Sequence, residues 1–173
     1  MSWLDARDGA YSEPTSRYMT AQVCLNGHPT TNGIERSPEL QSKFCAVCGA
    51  ETITVCQNCR ASIRGDYFVP GVITFNKYHP PRFCHNCGKP LPWTDRAISK
   101  AHELADEIDV LNKDEKKKLK TAIDDLTSDS PSTELATVRY KNLMVKAAPA
   151  LGRAMNNVIV TIATEAAKKM LGL

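Results

Sequence analysis

The spacing of seven cysteines and one histidine constrains the fold of this chain more than any other feature. They form four pairs separated by gaps of 16, 7 and 24 residues: Cys24-x3-His28, Cys45-x2-Cys48, Cys56-x2-Cys59 and Cys84-x2-Cys87. Two ligands a few residues apart can reach one ion from a single tight turn, so metal sites occur in sequence as pairs. Three of the pairs also carry the glycine that such a turn favours, at Gly27, Gly49 and Gly88. Eight donors of this kind predict two tetrahedral zinc sites, and therefore two Zn²⁺ per chain.

The gaps between the pairs indicate how the pairs are shared between the two ions. Gaps of 16 and 24 residues can each form one ribbon hairpin, whereas a gap of 7 suits a direct join between two modules. We therefore expect the first two pairs to bind one ion and the last two pairs to bind the other. The alternative is a cross-brace, in which the first and third pairs share an ion.

Other uses of the cysteines fit the pattern less well. A disulfide framework would suit a secreted chain, but residues 1–10 have no apolar core of the kind that a signal peptide needs. An iron-sulfur cluster could use the last two pairs, but it would leave the first pair without a role. Asn-Gly-His is also an ordinary surface turn, yet without His28 the first site would lack its fourth ligand. His79 and His85 are expected to be bystanders.

Charge and hydropathy narrow the classes of function. The formal net charge is +3, and two zinc ions bound to seven thiolates bring it to about zero. A nucleic-acid-binding protein normally shows a clear positive excess. No segment has 18 uninterrupted apolar residues, so we expect no membrane span. Reduced thiols without an export signal predict a cytoplasmic location.

Short β-rich runs flank the pairs. Residues 18–23 alternate into Cys24, and residues 51–55 alternate into Cys56. Two further runs, 63–69 and 72–75, stand on either side of Pro70-Gly71, which predicts a hairpin inside the second module.

The residues around the pairs form a recognisable set. That set is Cys24-x-Asn26-Gly27-His28, Phe44-Cys45-x2-Cys48-Gly49, Cys56-x2-Cys59 with Ile63-Arg64-Gly65, and Tyr78-x2-Pro81-x-Phe83-Cys84-x2-Cys87-Gly88-x-Pro90-x-Pro92-Trp93. It resembles a family of small bacterial proteins with paired zinc ribbons and no assigned function, and more loosely the double zinc ribbons of bacterial regulatory proteins. The closer resemblance covers about residues 20–95. It implies a zinc-ribbon fold and a bacterial source, and no activity.

The rest of the chain reads as helices. Trp93 and Ile98 have the spacing of a hydrophobic staple around an N-cap at Thr94. Asn112 begins a second helix with a capping-box pattern, and Pro149 marks a kink or a restart. Apolar residues recur with helical spacing on the inner faces of the first two helices. They are Ile98, Ala101, Ala105, Ile108, Leu119, Ala122, Ile123 and Leu126.

The last predicted helix carries more apolar residues than one packed face needs. Its stripe runs from Leu151 to Met170 without interruption. We interpret the residues on and beside this stripe as a contact surface for a second copy or a partner protein. These residues are Val158, Ile159, Val160, Ile162 and Ala163. The alternative is that the helices bury them within one bundle, and a membrane-surface role is weaker because the polar face carries few basic residues.

The predicted architecture is a small α+β protein with two consecutive zinc ribbons, built from short β-hairpins, followed by about four helices. Its parts are a loose arm over residues 1–17, a double zinc-ribbon module over 18–93 and a helical region over 94–173. We favour a non-catalytic adaptor or regulatory protein that uses the ribbons as a rigid platform and the helices for association. A nucleic-acid-binding ribbon is the alternative, because basic and aromatic residues surround the second module. A metalloenzyme fits least, because four protein ligands leave a zinc ion no open position.

Overall fold

The computed structural model describes residues 15–73 and 77–173, and it has a β half that carries the cysteines followed by five helices. The small α+β architecture is thus confirmed. The predicted arm at residues 1–17 lies almost wholly outside the described residues, as do positions 74 and 75 of the predicted hairpin.

Over the part of the β half that the structure describes, five short strands make two antiparallel sheets. The strands are β1 (Arg17–Thr20), β2 (Gln22–Cys24), β3 (Pro29–Thr31), β4 (Thr52–Ile53) and β5 (Arg64–Phe68). β1 pairs with β5, while β2 lies between β3 and β4. A single 3-10 turn, Pro38–Leu40, lies in the loop between the first two ligand pairs. A strand that feeds Cys24 is confirmed, but the predicted alternating run is divided between β1 and β2, and all three residues of β2 are buried.

The partner of β5 differs from the prediction. The Pro70-Gly71 turn is present, since the N–H of Val72 donates to the Val69 carbonyl at 3.1 Å, but Val72 and Ile73 form no strand. β5 instead pairs with β1, with Tyr18 opposite Tyr67. The predicted hairpin is therefore wrong over the described residues, because a long-range pairing replaces the local one.

Gly65 fixes the position of the β1–β5 sheet on the first module. A Cβ at this position would lie 1.9 Å from the carbonyl oxygen of Asn32, closer than any real contact. The Asn32 carbonyl also accepts a hydrogen bond from the N–H of Asp66 at 3.0 Å. The sheet thus packs backbone against backbone at a place where only glycine fits.

The two cysteine modules share one small core. The N–H of Ala21 donates to the Ile63 carbonyl at 2.9 Å, which joins the first module to the second. The buried residues of this core come from both modules and from the exit of the second: Ala21, Val23, Cys56, Ile63, Cys84 and Leu91. The β half is therefore one packed unit.

The helices begin and end largely where the sequence signals lie. They are α1 (Pro92–Asp106), α2 (Lys113–Leu126), α3 (Thr133–Met144), α4 (Pro149–Ile162) and α5 (Glu165–Leu171). The capping box of α2 is confirmed, because the Asn112 side chain accepts from the N–H of Glu115 and the Glu115 carboxylate accepts from the N–H of Asn112. Pro149 is confirmed as a restart at the first turn of α4.

The start of α1 lies earlier than predicted. Leu91 is the N-cap, and its carbonyl accepts hydrogen bonds from the N–H groups of Thr94 and Asp95. Proline at the first helical position fits because its missing N–H would have had no partner there. Trp93 and Thr94 therefore lie inside the first turn, and the predicted staple around Thr94 is wrong.

The single helix predicted from Leu151 to Met170 is two helices. Ala163 is extended, and the Thr164 side chain accepts from the N–H of Ala167 as the N-cap of α5. The N–H of Thr164 donates to the Leu126 carbonyl at the end of α2. An N-cap threonine and a tertiary hydrogen bond thus interrupt a stripe whose spacing alone suggests continuity.

The helical region has a core of its own. α1 packs against α2 and α4, and α3 packs against α2 and α5. The predicted inner faces of α1 and α2 are confirmed, with Ile98 partly buried at the edge. Among the described residues, no helix is both long enough and apolar enough to cross a membrane.

Candidate metal centres

The first pair and the second pair meet in one cluster of four donors. Cys24, His28, Cys45 and Cys48 place one ligand atom each within 4.8 Å of one another. The Nδ1 atom of His28 lies 3.5, 3.7 and 3.3 Å from the sulfurs of Cys24, Cys45 and Cys48. The sulfurs of Cys24 and Cys48 are 3.8 Å apart. His28 is therefore part of the cluster.

The third and fourth pairs form the second cluster. Cys56, Cys59, Cys84 and Cys87 also lie within 4.8 Å of one another. The Cys56 and Cys87 sulfurs are 3.9 Å apart, and those of Cys59 and Cys84 are 3.6 Å apart. The grouping is the consecutive one, whereas a cross-brace would have joined the first pair to the third.

The distances fit a tetrahedral ion in each cluster. Bonds of about 2.3 Å to sulfur place two sulfurs of a tetrahedron about 3.8 Å apart. Bonds of about 2.0–2.1 Å to nitrogen place nitrogen and sulfur about 3.6 Å apart. The observed separations fall within about 0.3 Å of these values, so each cluster can hold one metal ion.

Three of the pairs have the same local backbone. The residue after the second cysteine is left-handed in each, with φ of 70° at Gly49, 63° at Arg60 and 68° at Gly88. Its N–H donates to the carbonyl of the first cysteine, at 2.8–2.9 Å. Arg60 is the single non-glycine residue with positive φ in the described chain. The turn geometry at this pair is therefore maintained without the residue that best suits it.

Hydrogen bonds and burial set the acidity of the thiols. The N–H of Ala50 and then the Asn26 amide lower the pKa of Cys48 to about 6. Backbone N–H groups likewise lower the pKa of Cys59, Cys84 and Cys87. Burial raises the pKa of Cys24 and Cys56. Hydrogen bonds that favour the thiolate prepare the four cysteines with a lowered pKa to bind a cation.

Asparagine side chains donate to the cluster sulfurs, and this feature was not predicted. Nδ2 of Asn26 lies 3.4 Å from the Cys48 sulfur, and Nδ2 of Asn86 lies 3.6 Å from the Cys59 sulfur. The Asn58 side chain likewise hydrogen-bonds the Cys87 sulfur, from the third pair to the fourth, and lowers the pKa of that thiol. Each amide crosses from its own pair to the opposite one, so it ties two turns together. In the sequence, the asparagines directly before Cys59 and Cys87 were the signal from which these hydrogen bonds could have been predicted.

The first cluster is linked to the helical region. Nη1 of Arg96 on α1 donates to the side-chain oxygen of Asn26 at 2.8 Å, which orients the amide that donates to Cys48. Gly27 has φ of 88° and lies against Trp93. A Cβ added to Gly27 would lie 3.1 Å from the Cβ of Trp93. The indole N–H of Trp93 donates to the Pro81 carbonyl at 3.0 Å. Trp93 therefore joins both modules to α1.

The described structure assigns His79 and His85 to neither cluster. His79 instead lines a cavity of about 880 Å³ between the first module and the helices. Arg82 lines the same cavity and donates to the Ile162 carbonyl at the end of α4, at 2.8 Å. This bond is a second link between the two halves.

The predicted contact surface on the last helix lies largely in the interior. Ile159, Ile162 and Ala163 are each at most 2% exposed and belong to the helical core. Val158 packs partly against that core, and Val160 is 42% exposed. The interpretation of this face as free is therefore wrong for three of its five residues, because they belong to the core that the packed helices share.

A small α+β chain with two complete Cys/His clusters and a helical C-terminal half defines a class of small metal-binding proteins. Within that class the chain belongs to a bacterial family described as "Uncharacterized protein conserved in bacteria (DUF2321)", which matches residues 17–171. The resemblance to a bacterial family without an assigned function is confirmed. A comparison with curated proteins finds no match, and neither does a comparison with solved structures.

Proposed function

We propose that the protein is a non-catalytic zinc-binding adaptor in which two Zn²⁺ ions hold a β platform and the helical region binds another protein chain. The observation that carries this proposal is the completeness of both clusters. Each supplies four protein donors at tetrahedral separations, whereas catalytic zinc keeps one position open for water or substrate.

The donor set favours zinc over other metals. Thiolates with one imidazole select zinc or iron, and magnesium or calcium would need oxygen ligands. The first cluster contains a histidine nitrogen, which suits zinc better than an iron-sulfur cluster with four thiolates. The small shared core gives the β half little other stabilisation, so metal binding would supply much of its folding free energy.

We place the proposed contact surface on α3, in place of the end of α4. Leu135 and Val138 are each 51% exposed, and Val145 directly after α3 is 85% exposed. Their spacing places all three on one side of the helix. We define Leu135, Val138 and Val145 as the α3 face. Neighbouring exposed aliphatic side chains of this kind are typical of surfaces that bind another protein.

Cobalt substitution tests the closed metal sites. Co²⁺ in place of zinc reports its coordination through visible absorption, and a site with an exchangeable water changes its spectrum when azide is added. We expect tetrahedral spectra with no response to azide. If azide changed the spectrum of one of the two bound cobalt ions, that ion would have an open position. This result would contradict a purely structural role.

Site-specific crosslinking tests the adaptor role. A photo-reactive amino acid at position 138 replaces Val138 on the α3 face. The control places the same amino acid at position 110, where it replaces Val110, which is 65% exposed between α1 and α2. In bacterial cells we expect a discrete crosslinked product from position 138 and none from position 110. The mass of the product distinguishes a second copy from a different partner. The same result at both positions would contradict a specific surface.

A further inference from the structure

The outer face of the β1–β5 sheet presents two tyrosines side by side. Tyr18 and Tyr67 stand opposite each other in the pairing of the strands. Each is 51% exposed, and their ring centroids are 5.0 Å apart at an angle of 63°. Neither ring belongs to the core of the β half, so both are accessible from the solvent.

A guanidinium group lies against the tyrosine pair. The Arg64 carbon Cζ is 4.5 Å from the centroid of the Tyr18 ring. The hydroxyl of Tyr78 donates to the Arg64 carbonyl at 2.7 Å, which fixes the backbone at this position. Arg17 precedes Tyr18 in β1 and therefore lies on the opposite face, where its charge acts on the Glu35 carboxylate. The outer face therefore combines two aromatic rings with the Arg64 guanidinium. We define Tyr18, Tyr67 and Arg64 as the tyrosine face.

Among the described residues, two carboxylates close to this sheet, Glu35 and Asp66, are engaged elsewhere. The Asp66 carboxylate accepts from the Asn32 amide at 2.5 Å and lies 3.8 Å from Arg36. The Glu35 carboxylate accepts from the N–H of Thr20 at 2.9 Å. Both acids are thus held on the side of the loop that packs under the sheet. An anionic ligand that approaches the tyrosines meets the Arg64 guanidinium before either of these carboxylates.

The opposite side of the sheet is held against the first module. Met19 is 5% exposed and lies against Gly33, and Gly65 abuts the Asn32 carbonyl. The two tyrosines are therefore carried on a supported backbone. A supported platform loses little conformational entropy when a ligand stacks on it.

We propose that the tyrosine face binds single-stranded nucleic acid, with bases stacked on Tyr18 and Tyr67 and a phosphate next to Arg64. Exposed aromatic rings beside arginine are the elements by which proteins bind single strands without reading their sequence. The chain is near neutral once metal is bound, so stacking rather than overall charge must provide most of the affinity. This site is independent of the α3 face and of the adaptor role.

The proposed contacts predict a weak salt dependence. Each phosphate neutralised on a single strand contributes about −0.7 to the slope of log K against log salt. With Arg64 as the cation against the tyrosine pair, the slope is about −0.7. A polybasic surface would give a much steeper slope.

Fluorescence anisotropy tests the proposal. It measures the binding of a fluorescein-labelled oligouridine of about 12 nucleotides to the full-length, zinc-loaded protein. We expect Tyr18→Ala and Tyr67→Ala each to weaken binding between about fivefold and 150-fold, the range for loss of one stacked base. Tyr18→Phe and Tyr67→Phe keep the ring and should restore most of the affinity. Circular dichroism and metal content of each variant show whether it is folded.

Phe44 provides the matched control. It is 54% exposed and has the Lys43 Nζ atom 5.4 Å from its ring centroid, so it is a similar aromatic and cationic pair on the other module. Phe44→Ala should leave the affinity within about twofold.

Three outcomes would overturn the proposal. The wild-type protein could fail to bind the oligonucleotide, Phe44→Ala could cost as much as Tyr18→Ala, or folded tyrosine variants could bind normally. A polyproline peptide that binds the wild type without salt dependence, while the oligonucleotide does not, would assign the face to a protein ligand instead.

Discussion

Replacing Ile159 by alanine tests whether the end of α4 is core or surface. Ile159 is fully buried in the helical core, and the neighbouring Val160 is 42% exposed. The Ile159→Ala change removes three buried carbon groups, which is about 2.4 kcal/mol at about 0.8 kcal/mol each. The cavity left in a packed core raises the loss to about 3–4 kcal/mol.

Val160→Ala is the control for this prediction. It removes two methyl groups that are already partly in water, and alanine favours a helix slightly more than valine does. We expect a change within about 0.5 kcal/mol. Both variants keep the helix backbone and differ by one position in the sequence.

Urea unfolding of the metal-loaded protein, followed by far-ultraviolet circular dichroism, measures both effects. With a slope of about 1.5 kcal/mol per molar urea, the midpoint for Ile159→Ala should fall by about 2 M. The midpoint for Val160→Ala should stay within about 0.3 M of the wild type. Equal midpoints for the two variants would refute the burial of Ile159 and restore the sequence-based view of α4 as a contact surface.

Three further predictions concern the β half. Cys59→Ser should release one metal ion and unfold the second module, because three remaining ligands bind too weakly to fold it; metal content and near-ultraviolet circular dichroism measure this, and retention of two ions would contradict it. Arg60→Gly should stabilise the metal-loaded protein by about 1 kcal/mol in thermal unfolding, because glycine adopts the observed φ of 63° without strain, and a loss of stability would show that the Arg60 side chain makes a compensating contact. Gly65→Ala should separate β5 from the first module, because the alanine Cβ would meet the Asn32 carbonyl at 1.9 Å. A loss of about 1.4 kcal/mol or more should raise hydrogen exchange at the Asp66 amide at least tenfold. Unchanged protection of this amide would contradict the packing of Gly65 against Asn32.

The metal clusters were predictable because their information is local. Two ligands within one turn are recognisable from spacing alone, and the glycines at Gly49 and Gly88 mark the left-handed position that the turn requires. The capping box at Asn112 is local in the same way. Short-range chemistry of this kind leaves few alternatives.

Features that depend on distant parts of the chain were not predictable. The Pro70-Gly71 turn favours a hairpin, but the choice of β1 as the partner of β5 depends on how Gly65 fits against Asn32. The break at Thr164 depends on a hydrogen bond to the end of α2, while the apolar stripe continues across it with helical spacing. The exposure of Ile159 was misjudged because the area that α1 covers on α4 cannot be read from either helix alone.

The metal content of the intact chain tests the central claim most directly. Native mass spectrometry of protein purified without chelator should show two zinc ions per chain, one for each of the two four-donor clusters. Denaturing spectra of the same sample should show the metal-free mass with all seven cysteines reduced. A native mass with one ion or none, or with a metal other than zinc, would contradict the account of two structural zinc sites.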